Sequence, residues 1–249
     1  AEASRRMFDA LMPLLAPHFT VIAYDQRDCG ETESPPQPAT LAELAADAQA
    51  LVQGLGFERA HVFGSSFGGR VAQALAGLFP RTVERLALGS TWPLPQSLAE
   101  LNPVAVRSIA DLRQGLPDTA PELAQWFFPE ALMQAQPHLR TFFARVQPAS
   151  DRSLRRAVAV DSVVPIDWSA MTAPVLLLAG ELDRLVPPSL TFSLQRCLPQ
   201  AQWAQLDGVG HAAALQAPER LAEQLIRFFA GAEPASDVPA PTPHEELPA

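Results

Sequence analysis

The chain has 249 residues, of which 48% are hydrophobic and 18% charged, with a formal net charge of −9 and a mean hydropathy of +0.05. This suits one soluble α/β domain with an insertion; scattered arginines on an acidic chain argue against nucleic acid as a partner, and no apolar run approaches the roughly 18 residues of a membrane span. Cys29 and Cys197 are too few for a disulfide framework and no Cys/His spacing suggests a metal, so a cytoplasmic protein without metal or cofactor is expected.

In chain order, the pattern predicts a helix over 4–15, a strand over 20–24, a helix over 40–54, a strand over 60–64, a helix over 67–79 and a strand over 83–88. After a long interruption come a strand over 174–179, a helix over 188–198, a strand over 202–206 and a helix over 217–230. Such alternation argues for a parallel sheet covered on both faces, with ligand sites beyond the carboxyl ends of its strands. Residues 92–171 carry helix signals and no strand pattern. Pro121 suits a first helical turn after Asp118-Thr119, and Ser150 suits the N-cap of a helix through Leu154 and Val158. The expected division is a core of 1–91 and 172–230, a helical unit of 92–171, and a disordered Pro/Ala/acidic tail of 231–249.

Between the strand at 60–64 and the helix at 67–79 stands Gly64-Ser65-Ser66-Phe67-Gly68, a Gly-x-Ser-x-Gly string in a strand–turn–helix setting. A turn this sharp strains the serine backbone. Gly64 and Gly68 are expected to remove collisions, and Gly69 to let the helix pack close to the sheet. The turn lifts Ser66 Oγ clear of the sheet, above the N–H groups of a helix N-terminus. The string also occurs in ordinary turns; its setting favours a nucleophile.

A serine hydroxyl needs a base, usually a histidine held by a carboxylate. His18 precedes the first strand, His61 starts the strand and points away from its mouth, His138 lies in the helical unit and His244 in the tail. His211 remains, in the loop Asp207-Gly208-Val209-Gly210-His211 after a strand, where a surface histidine is the plain alternative. The apolar run 174–179 ends in Gly180-Glu181-Leu182-Asp183. Asp183 is the preferred carboxylate and Glu181 the fallback; otherwise both are solvated charges, or Asp183 caps the helix near Pro188. The strand at 83–88 ends in Gly89-Ser90-Thr91-Trp92, which offers no acid.

Along residues 1–230 the chain resembles the α/β-hydrolase fold family, in the order Ser66, Asp183, His211 and in three further stretches: 20–30, 177–183 and 209–211. The resemblance implies a Ser-His-Asp catalytic triad, the backbone N–H of Phe67 as one oxyanion donor, and a helical cap over Ser66. It also implies three strands ahead of the first helix, the third ending in a His-Gly motif that donates a second N–H. Here that helix opens the sequence, at Ala3-Ser4-Arg5. The N-terminal strands are therefore expected to be missing by truncation, unless the strands at 20–24 and 60–64 pair directly.

The expected activity is hydrolysis of a small apolar ester, lactone or thioester through an acyl-enzyme, with no cofactor. Trp126, Phe127 and Phe142 are candidates to line its pocket, or else they serve the core of the cap. Arg140 and Arg145 either bind a substrate carboxylate or are solvated. Haloalkane dehalogenases and epoxide hydrolases of this fold use an Asp nucleophile where Ser66 stands, and the latter use cap tyrosines, whereas Tyr24 is this chain's only tyrosine. Carbon–carbon bond hydrolysis of diketones, cofactor-free perhydrolysis, a non-catalytic binding protein and an inactive fragment stay open, as does the oligomeric state.

Overall fold

A computed structural model describes residues 4–144 and 150–232. Most of the expected tail, 233–249, lies outside the described residues, as does Arg145.

The first expected helix is broken. A 3-10 turn, Arg5–Phe8, precedes a single α-helical turn, α1 (Met12–Leu15), with Pro13 in its first turn. Proline lacks the N–H that a continuous helix over 4–15 would require and its ring crowds the carbonyl four residues back, so the helix restarts around it. The strand expected at 20–24 is likewise not formed, and the direct pairing with the strand at 60–64 is absent. A strand persists through its ladder, and none of the described strands pairs with this segment. Its side chains still divide: Val21 packs with one core cluster and Tyr24 with the other.

Helix α2 (Leu41–Gly54) starts at a capping box, in which Thr40 Oγ1 accepts the Glu43 N–H and the Glu43 carboxylate accepts the Thr40 N–H. Strand β1 (Ala60–Ser65) leads into α3 (Phe67–Leu78), followed by β2 (Val83–Gly89). Between β2 and the next strand the described residues form helices and turns and no strand. This segment contains α4 (Leu98–Leu101), α5 (Pro103–Gln114), α6 (Ala120–Ala124) with Pro121 in its first turn, α7 (Glu130–Ala135) and α8 (Asp151–Asp161), capped by Ser150. Strand β3 (Val175–Gly180) follows, then α9 (Pro188–Phe192) continuing as a 3-10 turn to Arg196, β4 (Gln202–Leu206), α10 (Ala213–Gln216) and α11 (Pro218–Phe229).

The strands form one sheet in the order β1-β2-β3-β4, every pairing parallel. β3 is buried throughout, and its side chains alternate between the faces. Leu177 joins Leu86, Leu88, Leu44, Val71 and Leu75 on the α2/α3 face. Leu176 and Leu178 join Leu221, Leu225 and Phe228 of α11 on the other. Each fully buried leucine contributes about 1.5–3 kcal/mol relative to exposure, so the two clusters fix the sheet and with it the loops at its carboxyl edge.

The helical insertion is bolted to this core by arginines. Arg70 of α3 is fully buried and donates to the carbonyls of Leu94 at 2.8 Å, Ser162 at 3.1 Å and Val160 at 3.2 Å. From α8, Arg152 donates to the carbonyls of Cys29, Gly30 and Thr32, and Arg155 pairs with Asp28 at 2.6 Å. No helix among the described residues is long and apolar enough to cross a membrane.

Candidate functional site

Ser66 occupies the turn between β1 and α3 with φ 55° and ψ −124°, a left-handed region that a non-glycine residue enters only under constraint. The constraint is visible. The Ser66 N–H donates to Gly89 O at 2.9 Å, and its carbonyl accepts the Gly69 N–H at 2.9 Å and the Thr91 hydroxyl at 2.8 Å. A Cβ on Gly64 would lie 2.7 Å from Ala72 Cβ and collide with the Gly68 carbonyl, so that position admits only glycine. A Cβ on Gly69 would come within 2.6 Å of Thr91 Cβ, in keeping with its close packing. Gly68 corrects the expectation: a Cβ there meets nothing within 4 Å, because its side-chain direction faces open space.

Ser66 stands at the N-cap position of α3, yet its hydroxyl makes no capping bond. Ser66 Oγ lies instead 3.0 Å from His211 Nε2, and His211 Nδ1 lies 2.9 Å from Asp183 Oδ2. Asp183 is 3% exposed, and its other oxygen, Oδ1, accepts the N–H groups of Leu185 at 3.0 Å and Val186 at 2.8 Å. A carboxylate so held offers Oδ2 as an acceptor only. It therefore selects the tautomer with the proton on Nδ1, leaving the Nε2 lone pair to accept the Ser66 hydroxyl. Glu181 points elsewhere, accepting the Gly208 N–H at 2.7 Å.

The insertion reaches this row of side chains. The Phe127 ring stands edge-on to the His211 imidazole at 5.7 Å between centroids, and Phe127 O accepts the His211 N–H at 3.0 Å. Phe142 is 48% exposed and packs on Phe128 and on Phe143, which in turn contacts Phe127. Trp126 joins the cluster of Trp92 and Leu190, with the Arg184 guanidinium 4.6 Å from its ring centre. Arg140 pairs with Glu130 on the surface. Phe67 opens α3, where first-turn N–H groups have no intrahelical partner.

Two contributors escaped the reading of the sequence. Thr91 holds the Ser66 carbonyl and also exchanges hydrogen bonds with Thr191, its N–H donating to Thr191 Oγ1 at 3.1 Å and its carbonyl accepting that hydroxyl at 3.0 Å. Gln216 bridges Gly210 and Phe127. The signal for Thr91 was its place two positions beyond the end of β2; Gln216 carried none.

Residues 3–224 match the family described as the alpha/beta hydrolase family. Among curated proteins, RutD of Yersinia enterocolitica, a candidate carbamate hydrolase, is 30% identical over 91% of this chain and 83% of its own length. Among solved structures, a thermophilic esterase from Thermogutta terrifontis, with malate bound, superposes with a TM-score of 0.76 at 26% identity, covering 91% of this chain and 85% of that one. A hydrolase from Pseudomonas aeruginosa gives 0.74 at 28% identity, covering 92% and 86%. The chain belongs to the alpha/beta hydrolase family and is a hydrolase.

Proposed function

We propose that the chain is a serine hydrolase acting on a small apolar carboxylic ester, lactone or thioester, with Ser66, His211 and Asp183 as its catalytic triad. The observation that carries this reading is the continuous hydrogen-bonded row at 3.0 Å and 2.9 Å, with its acid fixed by two backbone N–H groups. Ser66 Oγ attacks the carbonyl carbon while His211 Nε2 takes its proton, and the carbonyl electron pair moves onto oxygen. The Phe67 N–H, at the positive end of α3, stabilises that oxyanion. Collapse expels the alkoxide or thiolate, which takes the proton back from Nε2. Water, deprotonated by His211, then attacks the acyl-enzyme; the C–Oγ bond breaks, Ser66 Oγ takes the proton back from Nε2, and the acid is released. Asp183 holds the ring and offsets the imidazolium charge throughout.

In this reading the helical insertion, 92–171, is the cap of a core built from 1–91 and 172–230. Phe127 borders the acyl position beside His211, with Phe142 and Trp126 supporting it from within the cap. The name of the RutD relatives favours carbamate as a second acyl class on the same machinery, with the amine or ammonia as the group expelled.

The test is labelling of the purified chain with a fluorophosphonate, followed by turnover of p-nitrophenyl acetate, a lactone, a thioester and an aryl carbamate. One adduct on Ser66, lost in Ser66→Ala and strongly slowed in His211→Ala, is expected. Absence of an adduct on folded protein overturns Ser66 as an activated nucleophile. Preference for the carbamate over the acetate selects the second acyl class.

A further inference from the structure

We infer that Gln216 is a positioning residue: it ties the loop carrying His211 to the helical insertion, so that the imidazole faces Ser66 only while segment 125–129 is docked. This rests on the serine-hydrolase reading above. Gln216 ends α10, five positions beyond His211, and both ends of its amide are used. Oε1 accepts the Gly210 N–H at 2.9 Å, and Nε2 donates to Phe127 O at 3.0 Å. The partners fix the amide orientation, since a backbone N–H only donates and a carbonyl only accepts. The same Phe127 carbonyl takes the His211 N–H at 3.0 Å, so one oxygen of the insertion receives two donors from the histidine region. Gly210 lets the strands of this knot approach: a Cβ there would lie 2.7 Å from Phe127 O and 3.0 Å from Pro129 Cδ.

Nothing in His211 itself sets where its backbone sits. Asp183 and Ser66 hold the ring; the β3 loop holds residues 208–209, through the Leu182 N–H on Val209 O and Glu181 on the Gly208 N–H, while Phe127 O and the Gln216 bridge hold the main chain at 210–211. Lifting 125–129 away removes the acceptor of the His211 N–H and one end of the Gln216 bridge together. The histidine position is thereby coupled to the docked state of the insertion.

The experiment compares full-length wild type, Gln216→Met, Gln216→Glu and Gly210→Ala by three readouts: fluorophosphonate labelling rate, kcat and KM on p-nitrophenyl acetate, and amide hydrogen exchange. Met has similar length and no hydrogen bond. Glu keeps the acceptor for Gly210 but sets a carboxylate against the Phe127 carbonyl. Gly210→Ala strains the same contact without touching Gln216. In all three, labelling rate and kcat are expected to fall roughly 10- to 100-fold with KM within about twofold, the scale of misplacing a catalytic group by an ångström. Exchange is expected to quicken in 208–211 and 125–129 together. A folded Gln216→Met that labels at the wild-type rate, a loss confined to KM, or a Gln216→Glu indistinguishable from wild type overturns the inference. Failure of the wild type itself to label removes the serine-hydrolase reading instead, and the paired exchange change then decides whether Gln216 joins the two segments.

Discussion

The Thr91 hydroxyl donates to the Ser66 carbonyl at 2.8 Å, joining the end of β2 to the strained turn beside it. Thr91 is fully buried, so Thr91→Val keeps the shape and removes one of the two donors to the Ser66 carbonyl, the Gly69 N–H remaining. That loss costs about 0.5–1.5 kcal/mol. The expected outcome is a lower unfolding midpoint and slower phosphonylation of Ser66, with Thr91→Ser restoring most of both. Denaturant unfolding and labelling rate measured on the same samples check it.

The two acids of the β3 loop have different work. Asp183 faces His211, whereas Glu181 faces the Gly208 N–H. Asp183→Asn presents an amide that favours the wrong imidazole tautomer, and a fall in kcat on the order of 10⁴-fold is expected by analogy with serine proteases. Glu181→Gln keeps an acceptor for Gly208, and a change of less than about fivefold is expected, as for an exposed hydrogen bond of roughly 1 kcal/mol or less. Equal losses in the two variants would mean that the acid is misassigned.

Much of this was legible because it is local. The unbroken apolar run of β3, the Thr40 and Ser150 caps and the Gly-x-Ser-x-Gly turn each state their geometry within a few residues. The juxtaposition of Ser66, Asp183 and His211 was legible as well, since each directly follows, or sits in the loop after, a readable strand. What failed was what depends on partners. Residues 20–24 have strand composition but no ladder among the described residues, and the helix over 4–15 overlooked what Pro13 does to its own first turn. Gln216 could not be read because its acceptor, Phe127 O, lies 89 positions away.

Arg70 predicts how the insertion comes loose. Its guanidinium is fully buried, lies 5.3 Å from the centre of the Trp92 ring and serves three carbonyls near the two ends of the insertion. Arg70→Met fills similar volume and leaves those carbonyls short of donors. Leaving a buried acceptor without its donor costs roughly 1–3 kcal/mol. Arg70→Lys does not restore it, since one ammonium cannot reproduce the planar fork. Limited proteolysis is expected to cut Arg70→Met within 92–171 before the sheet-forming segments; equal protection of both proteins would show that the insertion is held by other contacts.

His61 predicts how stability responds to acid. Its ring stacks on Phe229 at 4.9 Å and meets Phe19 edge-on at 5.9 Å, and its buried Nδ1 has no hydrogen-bond partner. Burial pushes its pKa below the ordinary 6.5; Glu84 opposes the shift, and Arg85 and Arg59 add to it. The unfolded chain therefore binds the proton more readily than the folded one. Stability is fully present above the unfolded value of 6.5 and is lost as the pH falls through the lower folded value. His61→Phe keeps the aromatic stack and removes the proton, so its unfolding temperature should drop less than the wild type's between about pH 7 and pH 5. Parallel curves for the two proteins would assign the acid sensitivity to other groups.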